Sequence, residues 1–270
     1  DQNHGTVFCI GVILMQIDAM MDKRVLLPTD YSKNAFNAIK YALGLYGDVQ
    51  CDFYLLNAYQ VSGYTLESMR VPEEGEPLYE AAKKESEEGM ERLLQMIRLL
   101  PENHRHRFHA ICTFNSFVEA VAHAVRKNDI DAIVMGTKGA TGSMAKIFGT
   151  NTVRVMEYIK QCPVMAVPSD CLFVPPKEIV FPTDFRHSFQ KKEIKDLMEI
   201  ANLHGARINV VHLDRDKDGK LNDSEEANKK LLEDILDGTD YEMHFLPPVK
   251  LGKGIEGFLE SKEGDMVAFL

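Results

Sequence analysis

The sequence predicts an α/β protein: two tandem open parallel five-stranded sheets flanked by helices, the second copy incomplete. Three observations carry this. Short apolar runs alternate with segments whose apolar residues recur at helical spacing, the pattern of parallel strands with crossover helices on both faces. The opening pattern returns: KRVLLPTDYSKNAF at Lys23 is echoed by KEIVFPTDFRHSF at Lys177, so one fold is used twice. Between Asp131 and Pro168 a strand, a glycine-spaced loop and a helix follow one another.

The elements follow in order. Lys23 to Asp30 reads as a buried strand ending in Pro-Thr-Asp. From Ser32 to Leu45, the residues Ala35, Phe36, Ile39, Ala42 and Leu43 keep helical spacing, with Ser32 as the N-cap. Asp52 to Tyr59 is the second strand, and Val61 to Gly75 is loop. Pro77 to Leu100 is a long helix that buries Leu93, Leu94, Ile97 and Leu100; its Glu/Lys run from Glu80 to Arg92 is a solvated face with i,i+4 pairs. Arg107 to Thr113 is a strand, Phe117 to Val125 a helix, and Ala132 to Met135 the fourth strand. After the glycine loop an amphipathic helix begins near Thr150, with Val153, Met156, Ile159 and Lys160 at helical spacing. Pro163 ends it, and Val164 to Val167 is the fifth strand.

Pro168 to Lys177 is a proline-marked linker. Beyond it, Lys192 to Leu203 echoes the first helix, Arg207 to Leu213 the second strand, and GDMVAFL at the end the fourth strand. The expected division is a leader or artificially added extension at 1–20, a first nucleotide-binding unit at 21–168, a linker at 169–176 and a truncated second unit at 177–270. The second unit reads as stopping within its fourth strand, without a glycine loop, last helix or fifth strand, which leaves an open edge. Val7 to Met15 is apolar apart from Cys9 and Gly11. It is too short to span a bilayer as a helix and has no basic segment before it. An extra edge strand is the alternative to an extension there.

The formal net charge of −10 argues against nucleic acid or an anionic membrane as partner. Five scattered cysteines, without a C-x-x-C pair, suit a reducing cytoplasm. No G-x-S-x-G and no H-E-x-x-H is present.

The glycine loop carries the chemistry. Gly136, Gly139 and Gly149 let main-chain N–H groups approach an anion with no Cβ in the way. The helix beginning near Thr150 presents unpaired N–H groups and a positive dipole end, and Thr150 and Thr152 add hydroxyls. The spacing is neither the Walker pattern nor G-x-G-x-x-G. Gly136-x2-Gly139-x9-Gly149-Thr150 resembles the signature of the universal stress protein family, ATP-binding branch, in its tandem form.

That resemblance implies ATP at the carboxyl ends of strands one, two and four, with Mg2+ as a companion ion. It implies that Pro28, Thr29 and Asp30 line the nucleoside and that Ala58 lies against adenine. Met135, Gly136, Thr137 and Gly139 would form the wall and loop; Gly149, Thr150, Asn151 and Thr152 would hold the phosphates. It implies a stress-response nucleotide sensor or scaffold and pairing through the fifth strand; as only the first copy supplies such a strand, Val164 to Val167, the partner strand is expected from a second molecule, a homodimer. No residue stands out as a general base, so no catalytic residue and at most weak ATPase activity are expected. From the residues themselves, Asp30 is a poor phosphate neighbour and suits base or ribose. The other reading of Pro-Thr-Asp is a structural turn in which Asp caps the next helix. Two rival functions remain open at this point: a nucleotide hydrolase or adenylyl-transferring enzyme using Asp30 to hold Mg2+, and a nucleotide-free dimeric interaction module.

Two further patterns compete. Asp214-x-Asp216-x-Asp218-Gly219-x5-Glu225, with Leu221 between, matches a calcium loop, but a strand precedes it; a solvated acidic loop is the alternative. His104, His106 and His109 cluster before a strand and read as a metal site or a solvated basic turn.

Overall fold

Val25, Leu26 and Leu27 are fully buried, because their strand, β1 (Lys23–Pro28), is central in its sheet. The computed structural model describes residues 22–61, 74–137, 149–213, 220–247, 251–262 and 264–270. The 1–20 segment, Gly139 and most of its loop, and Asp214 to Gly219 of the acidic pattern lie outside these residues.

The first sheet holds β1, β2 (Cys51–Tyr59), β3 (His106–Phe114), β4 (Ala132–Gly136) and β5 (Val164–Val167), all parallel, in the order β3-β2-β1-β4-β5. Both faces of the central strands are apolar, so the alternation of a half-solvated strand is absent. One face carries α1 (Lys33–Leu45) and α2 (Pro77–Arg98), which bury Ala38, Ile39, Met90 and Leu93 against Val25, Leu27 and Phe53. The other carries α3 (Phe117–Asn128) and α4 (Thr150–Tyr158), which bury Val121, Val125 and Val155 against Leu26 and Ile133. Each of these side chains larger than alanine contributes about 1.5–3 kcal/mol on burial.

Local signals fix the helix ends. Ser32 caps α1 as expected, its Oγ accepting the Ala35 N–H at 3.2 Å. Pro77 opens α2, where its absent N–H costs nothing. The charged run on α2 makes the expected i,i+4 contacts, Lys84 to Glu88 at 3.8 Å and Arg92 to Glu88 at 3.9 Å. Leu93 and Ile97 are buried there, whereas Leu94 and Leu100 are only half-buried. In α4 the inward face is Thr152, Val155 and Ile159, and Val153 points outward. Of the expected stripe Ile159 is buried and Met156 half-buried, while Val153 and Lys160 are exposed; apolarity was given weight over a buried threonine.

The second sheet holds β6 (Glu178–Thr183), β7 (Arg207–Leu213), β8 (Tyr241–Leu246) and β9 (Met266–Val267) in the order β8-β7-β6-β9. Helices α5 (Lys191–His204) and α6 (Asp223–Leu236) cover one face, and α7 (Leu251–Lys262) the other. Capping boxes start α5, with Gln190 and Glu193, and α6, with Asn222 and Glu225. Glu225, the last acid of the calcium-loop pattern, is therefore engaged: its Oε2 accepts the Asn222 N–H at 3.0 Å.

The two sheets meet through α1 and α5. Lys23 Nζ donates to Glu199 at 2.5 Å, and His204 Nε2 donates to the Leu45 carbonyl at 2.9 Å. Phe173 lies edge-on to Tyr41, with ring centroids 5.4 Å apart, in the space that Gly44 leaves.

Candidate functional site

Parallel strands place all their carboxyl ends on one rim, and the order β2-β1-β4 makes three of those ends neighbours. Pro28, Thr29 and Asp30 close β1, Ala58 lies near the end of β2, and Met135, Gly136 and Thr137 close β4. In register, Pro28 pairs with Leu56, and the Thr29 N–H donates to the Leu56 carbonyl at 2.8 Å.

The Pro-Thr-Asp turn has its own hydrogen bonds. Thr29 Oγ1 accepts the Tyr31 N–H at 3.0 Å, and Asp30 Oδ1 accepts the Ser32 N–H at 3.0 Å. Tyr31 sits in the left-handed region at φ 62°. The second copy repeats this: Thr183 accepts from Phe185 at 3.1 Å, Asp184 accepts from Arg186 at 3.1 Å, and Phe185 has φ 56°. Neither aspartate is the helix N-cap; Ser32 and Gln190 are. In the second copy α5 begins only at Lys191, so the turn belongs to the three residues and not to the helix after them.

Around the first turn lies a polar chain. Asn57 Nδ2 donates to the Thr29 carbonyl at 2.8 Å, and Ser86 Oγ donates to Asn57 Oδ1 at 2.7 Å. Tyr31 Oη donates to the Ser86 carbonyl at 2.6 Å. Burial pushes the Tyr31 phenol well above its ordinary pKa, so it stays a neutral donor. Thr29 is 4% exposed while Asp30 is open to solvent.

On the β4 side, Asn34 Nδ2 donates to the Thr137 carbonyl. A Cβ on Gly136 would stand 2.9 Å from the Asn34 carbonyl oxygen, so the start of α1 requires glycine there. Thr152 Oγ1 donates to the Gly136 carbonyl at 3.3 Å, which draws the first turn of α4 to the end of β4. Gly149 is the N-cap of α4 and supplies no side-chain cap; Thr150 and Asn151 are exposed. Two buried oxygens here, Asn34 Oδ1 and Thr137 Oγ1, have no hydrogen-bond partner among the described residues. This rim thus offers helix amides, hydroxyls and one exposed carboxylate, a donor-rich set suited to an anion with a polar ring system.

The structure brings Thr29, Asp30, Gly136, Thr137 and Thr152 to one rim through Asn34 and the β1–β4 pairing; Gly139 lies outside the described residues. Sequence reading missed Tyr31, Asn34, Asn57 and Ser86. A lone amide inside the apolar run DFYLLNAY was the available signal for Asn57.

The second copy fills the matching rim differently. His212 takes the place of Asn57, its Nδ1 donating to the Thr183 carbonyl at 3.1 Å. The Phe185 ring, fully buried, stacks on His212 with centroids 5.0 Å apart, and Phe245 lies 5.6 Å from His212.

The histidine cluster separates. His106 Nε2 turns inward to the Tyr46 carbonyl at 3.1 Å, and burial lowers its pKa. His109 turns outward to Asp52 Oδ1 at 2.8 Å, and His104 faces Glu102 at 3.5 Å. Among the described residues no group of three metal-ligating side chains forms.

Comparison with known proteins adds the following. The model of the universal stress protein family matches residues 21–168. A universal stress protein of Methanocaldococcus jannaschii is 26% identical over 147 residues, 54% of this chain and 81% of that protein. The solved structure of a universal stress protein from Archaeoglobus fulgidus superposes with a TM-score of 0.65 at 18% identity, covering 91% of this chain and 84% of that one. A functionally unknown protein from Pseudomonas aeruginosa superposes with a TM-score of 0.52 at 13% identity, covering 92% of this chain and 81% of that one.

Proposed function

The chain belongs to the universal stress protein family, and from that premise we propose that it binds ATP at the carboxyl rim of the first sheet and acts as a nucleotide-responsive sensor or scaffold. One observation carries the reading: Thr152 holds the start of α4, which no side chain of its N-cap Gly149 caps, against the end of β4, beside Thr137, whose buried hydroxyl has no partner among the described residues. The amides of Thr150 and Asn151 then receive the phosphates, assisted by the glycine loop. Asp30, exposed and next to Thr29, takes the ribose or base side, away from the phosphates. Ala58 leaves room for adenine near the end of β2.

Among the proposed residues Asp30 is the single carboxylate, and its Oδ1 already accepts from Ser32. A Mg2+ ion would therefore be held chiefly by the phosphates themselves. None of the proposed residues is set up as a general base toward water, so the reading is binding with slow hydrolysis or none. The nucleotide state would bias conformation or pairing of two copies through β5, the edge strand of the first sheet. No helix among the described residues is long and apolar enough to cross a membrane, and a cytoplasmic, membrane-independent role is part of the proposal.

A nucleotide-free interaction module is the second reading. It is favoured by Thr29, whose hydroxyl and carbonyl are both engaged internally. Equilibrium binding of labelled ATP separates the two. The Thr150→Glu variant adds a charge that a helix start welcomes but a phosphate does not. We expect wild type to bind and Thr150→Glu to bind at least about tenfold more weakly. Absence of ATP binding by wild type, with the fold intact by circular dichroism, leaves the interaction module.

A further inference from the structure

Strand β3 is an edge strand, and its two faces are covered unequally. Helix α2 packs on one face, while on the other side of the sheet α3 lies mainly over β1 and β2 and half-buries only Ile111 of β3 against its cluster, leaving His109 exposed. The result is a trench between α3 and the open edge, a cavity of about 410 Å³ that runs along β3 from His109 to Asn115, just past its end, and shares no residue with the proposed nucleotide site. That volume falls within the range of about 300–1,000 Å³ usual for small-molecule sites.

Its walls are chemically one-sided. The floor is a pair of rings, Tyr54 and His109, stacked with centroids 4.6 Å apart and planes 19° apart. Asp52 fixes the His109 ring through Nε2, and is itself held by the Arg107 fork at 2.8 and 2.7 Å. The α3 wall is low, because Ala120 and Ala124 face the trench. His123 and Lys127, four residues apart and exposed, stand along the same wall. No carboxylate lines the trench, although the protein carries a net charge of −10.

We propose that this trench is a second ligand site, for a small aromatic anion. The ring packs against the Tyr54–His109 pair, and the anionic group meets Lys127 and His123. A flat ring is selected by the stacked floor and the low alanine wall. A negative group is selected because it meets Lys127 and His123, while the nearby Asp52 carboxylate is already paired with the Arg107 guanidinium. The site is independent of the nucleotide reading.

The test is a titration of the full chain with 2-naphthoate, followed by 1H–15N NMR, alongside neutral 2-naphthalenemethanol. The expected result is saturable shifts confined to residues of β3 and α3, with the neutral analogue binding more weakly. The double variant His123→Ala/Lys127→Ala, altered only at exposed positions, should bind naphthoate roughly tenfold more weakly and keep whatever ATP affinity wild type has. Shifts that do not saturate, equal affinity in the double variant, or shifts centred on Thr150 and Asn151 would each overturn the proposal.

Discussion

The ring of Tyr31 lies on the backbone of Gly89 so closely that a Cβ on Gly89 would stand 2.3 Å from the ring. A glycine in the middle of α2 otherwise weakens the helix by about 1 kcal/mol relative to alanine. Here it admits the side chain that ties the Pro-Thr-Asp turn to α2. Gly89→Ala should therefore destabilise the protein by about 1–3 kcal/mol through overpacking, despite the better helix propensity. In a Tyr31→Ala background the same change should become neutral or stabilising. Urea denaturation of the four proteins of this cycle checks it; an equal cost in both backgrounds would remove Tyr31 as the reason for Gly89.

Much of this was legible in the sequence, for identifiable reasons. The central strands β1 and β4 of the first sheet are buried on both faces, so they appear as unbroken apolar runs, and Ser32 and Pro77 mark helix starts chemically. The repeat disclosed the second sheet through KEIVFPTD. The remainder depends on contacts between distant segments. Asn34, Asn57 and Ser86 act only once α1, β2 and α2 meet; Asn57 stands out locally as an amide in an apolar run, but nothing local distinguishes Asn34 and Ser86 from solvated polar residues. Strand β8 mixes half-buried and exposed positions, and α7 contains Gly252, Gly254 and Gly257, so both give weak periodic signals. Glu225 is a capping-box partner of Asn222, a role that the calcium-loop pattern did not disclose; Asp214, Asp216 and Asp218 of that pattern lie outside the described residues.

Asp52 gives a pH prediction. The Arg107 hydrogen bonds, with a smaller part from His109, lower its folded pKa from 3.8 to about 2. A depressed carboxyl pKa stabilises the fold above the unfolded value, and the effect is lost as pH falls through the folded value. Wild type should therefore melt higher than Asp52→Asn from pH 5 to 8, and the gap should close between about pH 4 and pH 2. A melting-temperature gap that stays constant across this range would contradict the assignment.

The joint between the two sheets can be tested at Phe173. Its ring fills the space over Gly44 and contacts Tyr41 and His204. Phe173→Ala should cost about 2 kcal/mol, below the range for a fully buried phenylalanine because this one is half-buried. Amide exchange should accelerate at the end of α1 and along α5, where His204 bonds Leu45, and remain slow in β2 and β7. Uniform acceleration through both sheets would mean that the two copies unfold as one unit and that the ring is not a local joint.

The two Pro-Thr-Asp rims predict unequal ligand occupancy. In the first copy the carbonyl of Thr29 is held by Asn57, whose other end takes Ser86, and the rim stays polar. In the second, Thr183 is held by His212, on which Phe185, the counterpart of Tyr31, and Phe245 pack, so rings replace the polar Asn57–Ser86 chain. A nucleoside that suits the polar surroundings of the first rim would meet an aromatic cluster at the second. ATP should therefore titrate at one equivalent per chain. Asn57→Leu leaves the Thr29 carbonyl and the Ser86 hydroxyl unpaired, which should cost about 1–3 kcal/mol of stability and weaken ATP binding. His212→Leu should destabilise the second sheet by a comparable amount and leave ATP affinity unchanged. Calorimetric titration of both variants decides the matter: two equivalents per chain, or a loss of ATP affinity in His212→Leu, would show that the stacked rings do not set the second rim apart.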